Sequence, residues 1–185
     1  LPRSVRCGGG RWWPTTGSGE LAGGARMTRF KKILATTDLS PESFSAVSFA
    51  GHLAREQAGK LTVLHVPHST SLVYTDFAPP IDMLNIDAAI EKAAREQLEK
   101  WVRRHLHDLS DVEVVVRAGI THETICEVAA EVGANLIVMA THGRKGLGHL
   151  VLGSVTERVL RDAPCPVLVI KPPKPVIEGE QTEQA

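Results

Sequence analysis

The chain has 185 residues, 43% of them hydrophobic and 23% charged, a globular composition with room for one domain. Lys plus Arg number 21, as do Asp plus Glu, so no whole-molecule field draws the protein to nucleic acid or anionic lipid. Aromatic residues are only 4%, which requires an aliphatic core, and the longest apolar runs are far too short to span a bilayer. Cys7, Cys126 and Cys165 have neither metal-site spacing nor a paired framework, which favours a reducing, cytoplasmic setting.

Residues 1–26 carry Arg3, Arg6, Arg11 and Arg26 against Glu20, a net of +3. The remainder carries 17 basic and 20 acidic groups, a net of −3. The first stretch is glycine-rich, contains Trp12-Trp13, shows no period of 2 or 3.6, and lacks the apolar run of a secretory signal. It is expected to be a disordered leader, upstream of a start at Met27. The domain is expected over residues 27–172, and the Pro-, Glu- and Gln-rich residues 173–185 form a second disordered end.

Lys32–Thr37 is a short apolar run that meets Asp38-Leu39-Ser40-Pro41, a strand followed by a helix start that Ser40 can cap. Phe44, Val47, Ala50, Leu53 and Ala54 recur at helical spacing, and Gly59 ends that helix. Leu61–Val66 reads as a second strand and residues 67–81 as an irregular connection. Ile86 to Leu106 reads as a charged helix with Ala89, Ile90, Ala93, Leu98 and Val102 inward. On its outer face, Glu91–Arg95 and Glu96–Lys100 have i,i+4 spacing. Val112–Val116 is a third strand, Thr121–Val132 a helix bearing Ile125, Val128 and Ala129, and Leu136–Ala140 a fourth strand. A glycine-rich loop runs to Gly153, followed by a short helix to Asp162 and a fifth strand over Pro166–Lys171.

Strands that are continuous apolar runs are buried on both faces, so the sheet is parallel and lies between helices. The β-α alternation with right-handed crossovers gives a three-layer, open doubly wound α/β fold of five parallel strands. The order 3-2-1-4-5 puts Glu113 of the third strand at an edge, where a charge is tolerable. Ligands of such sheets bind past the carboxyl ends of the strands where the winding reverses, here between strands one and four. That places Asp38 and the segment Ala140–Gly153 at the candidate site. In that segment, glycines let backbone N–H groups approach an anion. Ser154 with Glu157 three residues on has the spacing of a capping box, so Gly153-Ser154 marks a helix N-terminus suited to phosphate. Neither a Walker A loop nor Gly-x-Gly-x-x-Gly after the first strand is present.

The chain resembles the universal stress proteins over nearly all of residues 28–171. The resemblance is carried by Lys32–Ser40, Leu64-His65-Val66, Leu136–Gly143, Gly153-Ser154 and Cys165–Ile170. Nucleotide-binding members of that family carry Gly-x2-Gly-x9-Gly-Ser/Thr after the fourth strand. This chain has Ala140-x2-Gly143-x9-Gly153-Ser154, with the spacing intact and the first glycine replaced. The resemblance implies an ATP or AMP site, with magnesium accompanying ATP. Asp38 and the Val66 backbone would hold adenine, and Thr36, Thr37, Met139 and Ala140 would line the adenine–ribose region. Gly143, Gly153, Ser154 and Val155 would face the phosphates.

Asp38 also has a purely structural reading as a helix cap, and the two roles can coexist. His65 reads as a packed or hydrogen-bonded residue, Cys126 as core and Cys165 as structural. His142 and His149 read as surface donors, and His122-Glu123 lacks the second histidine of a zinc-protease helix. A phosphoacceptor receiver would need an acidic cluster after the first strand, and a redox enzyme a cysteine pair within reach. The expectation is a sensor or regulator that is at most a slow ATPase, with no catalytic residues or metal site of its own. The competing expectation is a nucleotide-free dimeric interaction module, which the replacement at Ala140 favours. The fifth strand, apolar and at an edge, is expected to pair with a second copy through Val167, Leu168, Val169 and Ile170.

Overall fold

A computed structural model describes residues 30–67, 81–141 and 152–171. The leader, the tail, residues 68–80 and residues 142–151 lie outside the described residues, so Gly143 and its neighbours Arg144 and Lys145 have no place in the geometry below. The first strand, β1, is Lys32–Thr37, and it passes through a tight turn into helix α1, Pro41–Gln57. Ser40 caps α1 by accepting from the Ser43 N–H at 3.2 Å, while Pro41 sits at the first turn, where its missing N–H costs nothing. The helix ends at Ala58, left-handed with φ 45°, and the Gly59 N–H bonds back to the Ala54 carbonyl at 2.9 Å. A Cβ on Gly59 would stand 2.9 Å from the Phe30 carbonyl oxygen, so only glycine lets the chain pass there.

Strand β2 is Lys60–His65, one residue earlier than the apolar run suggests, and Val66 follows it directly. Helix α2 is Ile81–His105 and strand β3 is Val112–Val116. Helix α3 is Thr121–Glu131, β4 is Leu136–Ala140, α4 is Ser154–Asp162 and β5 is Val167–Ile170. The sheet order is β3-β2-β1-β4-β5, with every pairing parallel, as the crossover argument requires. At the β3 edge, Glu113 is held by the Lys60 ammonium at 2.8 Å.

The strand alternation sorts the core into two layers. Ile33, Ala35, Leu61, Val63 and Val138 pack with α1 and α2 on one face. Leu34, Leu64, Ile137 and Met139 pack with α3 and α4 on the other. The largest fully buried side chains are all Leu, Ile or Val, the aliphatic core that a chain poor in aromatics must build. Trp101 instead sits at the α1–α2 seam, stacked between Phe44 and His105 with ring centroids 4.4 and 4.5 Å away.

Helix α2 departs from expectation. Over residues 86–105 its buried residues are Ala94 and Leu98, with Leu106 just past its end, whereas Ala89, Ile90 and Ala93 are exposed and Val102 is half-buried. Periodicity identifies residues that share a face, not how far along the helix a neighbour covers that face. Arg95 donates to the Val114 carbonyl at 3.2 Å, and the i,i+4 ion pair among the described residues of α2 is Glu99–Arg103. Cys126 is half-buried rather than core.

Two predictions arise from these contacts. Arg117 grips Glu131 with two parallel hydrogen bonds of 2.8 and 2.7 Å, and this holds the Glu131 carboxyl below its ordinary value. A depressed carboxylate stabilises the fold above its unfolded pKa, and the contribution is lost as pH falls through the folded one. Glu131→Gln should therefore be less stable than the parent above pH 4.5, by a small amount because the pair is exposed. In acid denaturation the difference should vanish at lower pH; a gap that widens there contradicts the assignment. Burial pushes the Cys165 thiol up to about 11, and the neighbouring Cys126 adds to the shift. Because the thiolate is the nucleophile, Cys165 should resist a disulfide reagent at pH 8 until the protein unfolds. Rapid modification of Cys165 in the native protein would contradict this.

Candidate functional site

The turn between β1 and α1 is built from hydroxyls. Thr37, buried at the end of β1, has its Oγ1 2.7 Å from Ser43 Oγ and accepts from the Leu39 N–H at 2.9 Å. Asp38 Oδ1 accepts from the Ser40 N–H at 3.1 Å and from the Ser40 hydroxyl at 2.6 Å. Leu39 has φ 66°, a left-handed conformation that a leucine adopts only where its surroundings enforce it. His65, buried at the end of β2, places Nδ1 2.8 Å from the Thr37 carbonyl oxygen and so ties the ends of the two strands together. That is the hydrogen-bonded role expected for it. Ser40, not Asp38, is the N-cap of α1; Asp38 is a half-buried carboxylate that braces that cap by accepting from the Ser40 N–H and hydroxyl.

The residues expected to line the site divide by strand face. Thr37 and Ala140 lie on the α1 face. Thr36, Val66 and Met139 lie on the opposite one, with Val66 and Met139 packed into the α3–α4 core layer. Ala140 is the last residue of β4, and its methyl belongs to the core cluster that includes Ala46 and Ala50. Only Leu39 and Ala58 have positive φ among the described non-glycine residues, so alanine at 140 carries no backbone strain.

Past β4 the chain returns at Gly153, which caps α4 with φ −62° and ψ 146°. The expected capping box does not form: Ser154 is the first helical residue, one position too late to cap, and its side chain is exposed. Glu157 pairs with Arg161 at 3.2 Å instead. Among the described residues no side chain caps α4, so its first-turn amides, Ser154 and Val155 among them, have no intrahelical partner. Two bonds pin this helix start to the end of β4. The Gly153 N–H donates to the Thr141 carbonyl at 3.0 Å, and the buried Thr156 hydroxyl donates to the Ala140 carbonyl at 3.2 Å. A Cβ on Gly153 would lie 3.1 Å from the Thr141 oxygen, tighter than ordinary packing allows.

The Asp38 turn and the α4 start therefore share one end of the neighbouring strands β1 and β4, with α1 on one face of the sheet and α4 on the other. Val66 lies one strand further over. Sequence reasoning missed Ser43 and Thr156, both buried hydroxyls. Ser43 had a faint signal in its spacing from the capping Ser40, whereas nothing in the sequence marked Thr156. His122 lies 3.8 Å from Glu123, and among the described residues no three His, Cys, Asp or Glu side chains converge as a metal site. No helix among the described residues is long and apolar enough to cross a membrane.

This is a doubly wound sheet with the start of α4 at its switch point. The sequence model of the universal stress protein family matches residues 29–171, and the chain belongs to that family. Universal stress protein MJ0577 of Methanocaldococcus jannaschii is 29% identical over 154 residues, 77% of this chain and 95% of that protein. The solved structure of MJ0577 matches with TM-score 0.68 and 28% identity over 79% of this chain and 99% of that one. YxiE of Bacillus subtilis is 31% identical over 147 residues, 77% of this chain and 99% of that protein. A universal stress protein solved in complex with cAMP shares the fold at TM-score 0.52 and 23% identity, over 78% of this chain and 98% of that one.

Proposed function

We propose that this universal stress protein binds ATP or AMP in the crevice past β1 and β4 and acts as a cytoplasmic stress-response sensor or regulator. The observation that carries the reading is the start of α4. Its first amides are uncapped by any described side chain and are pinned to β4 beside the Asp38 turn. Those amides and the positive end of the helix dipole suit a polyphosphate, with Ser154 and Val155 supplying the contacts. The expected Gly153 amide is instead engaged by the Thr141 carbonyl, so Gly153 would contribute close approach rather than an N–H. Gly143 would add a further amide from outside the described residues. Across the crevice, Asp38 and the backbone at Val66 would meet the adenine. Thr36 and Thr37, with Met139 and Ala140, would line the adenine–ribose region.

The fold has a member solved with cAMP, but that likeness extends to the fold alone. The phosphate part of the reading rests on the Asp38 turn and the α4 start of this chain, and the adenine and ribose contacts are what the family resemblance implies. Hydrolysis would be slow at most, since the sequence supplies no evident base to position a water. Magnesium would arrive with ATP, held chiefly by the phosphates, since no described cluster of ligands could cage it.

Titration with labelled ATP tests the reading. Saturable binding is expected below millimolar nucleotide, and Asp38→Ala should weaken it and reduce the preference for adenine. No saturation at millimolar ATP overturns the reading and leaves a nucleotide-free interaction module. We also propose a two-fold homodimer through β5, whose Val167, Leu168, Val169 and Ile170 occupy a sheet edge and are each only half-buried. Sedimentation at tens of micromolar should give the dimer mass, and a monomer would contradict the pairing.

A further inference from the structure

We infer that the Ser40 and Ser43 hydroxyls are positioning groups for Asp38 and that they set how tightly and how selectively the crevice holds its purine. The inference rests on the adenine-nucleotide reading above. The three hydroxyls of this turn have consistent donor roles. Ser43 Oγ–H donates to the Ser40 carbonyl at 3.0 Å, so Ser43 Oγ must accept from the Thr37 hydroxyl at 2.7 Å and from the Asp38 N–H at 3.3 Å. Thr37 Oγ1, having given its proton to Ser43, accepts from the Leu39 N–H at 2.9 Å. Ser40 Oγ accepts from the Ser43 N–H at 3.2 Å and donates to Asp38 Oδ1 at 2.6 Å.

Each hydroxyl thus donates once and accepts at least once: the Ser40 hydroxyl ends on the Asp38 carboxylate, and the Ser43 hydroxyl ends on the Ser40 carbonyl while its oxygen holds the Asp38 N–H. Ser40 and Ser43 are both 4% exposed, so neither hydroxyl can exchange a lost partner for bulk water. The network also encloses Leu39, whose φ of 66° would relax if its supports were removed. Removing Ser43 Oγ strips a partner from the Thr37 hydroxyl and from the Asp38 N–H. Removing Ser40 Oγ takes away the shorter of the two bonds that Ser40 gives Asp38 Oδ1 and leaves the one from its N–H at 3.1 Å.

The test is a pair of double-mutant cycles read by calorimetric titration with ATP and with GTP. Ser43→Ala and Ser40→Gly are each made alone and on the Asp38→Ala background. Ser40→Gly guards against a folding failure in the first variant, because glycine is itself an accepted helix N-cap. Each single change should weaken ATP binding about tenfold, the loss expected of one hydrogen bond to a charged group, and should lower the ATP-to-GTP preference. On the Asp38→Ala background the same changes should cost less than about twofold, because the group they act through is gone. Equal losses on both backgrounds, or single variants that bind like the parent, overturn the positioning role while the nucleotide site stands. A parent that binds neither nucleotide overturns the site and this inference together.

Discussion

Gly153→Val is expected to weaken ATP binding by at least about a hundredfold while the protein still folds cooperatively. The hydrogen at this position faces the Thr141 carbonyl, and even a Cβ there would lie 3.1 Å from that oxygen. Valine crowds the bond from the Gly153 N–H to the Thr141 carbonyl that pins the α4 start to β4, and the amides of Ser154 and Val155 then lose their common aim. Two charge-assisted hydrogen bonds to phosphate are together worth about 3–6 kcal/mol, or two to four decades in affinity. The fold should survive because φ −62° and ψ 146° are open to valine and the buried anchors Thr156 and Val159 lie further along α4. Unchanged ATP affinity in a folded Gly153→Val protein would place the phosphate site elsewhere.

Ile137→Ala carries the largest expected effect on stability. Ile137 is completely buried on β4, paired in register with Leu34 of β1 and Val167 of β5. It packs in the layer that holds Leu64, Val128 and Val159 beneath α3 and α4. Truncating it removes three carbons from a site walled by two strands and two helices, which leaves little freedom to collapse. The cost should be about 2–5 kcal/mol, with a fall in Tm of roughly 4–20 °C. Ile86→Ala, at a position 51% exposed, should cost less than about 0.5 kcal/mol in the same denaturant titration. If the two substitutions cost the same, the assignment of the inner layer is wrong.

The architecture was legible because its determinants are local or topological. Continuous apolar runs such as Leu136–Ala140 announce strands buried on both faces. The β-α alternation with right-handed crossovers then leaves few orders, of which 3-2-1-4-5 is the one observed. Ser40 and Pro41 marked the start of α1 because capping is a matter of adjacent residues. Two features were not legible, for the same reason. The failed capping box at Ser154 depends on which residue first becomes helical, and that is decided by the bonds from Gly153 to Thr141 and from Thr156 to Ala140 across the loop. The exposure of Ala89, Ile90 and Ala93 depends on where along α2 a neighbour covers the helix. Thr156 and Ser43 act through contacts that exist only once the strand ends and helix starts have met.

Ala140 shows how a departure from a family pattern acquires meaning only in three dimensions. In sequence, alanine for glycine leaves two outcomes open, strain or indifference. In the fold, residue 140 is ordinary extended strand, and its methyl packs with Ala46 and Ala50 in the layer beneath α1. The replacement fills core space without straining the backbone at the mouth of the crevice.

The most direct test of the central claim is amide-resolved NMR during titration with ATP. The account predicts saturating shifts at Asp38 and at Gly153, Ser154 and Val155, two segments far apart in sequence that respond with a single dissociation constant. Shifts confined to other surfaces, such as the Phe44–Trp101 seam between α1 and α2, would contradict it, as would no shift at millimolar nucleotide.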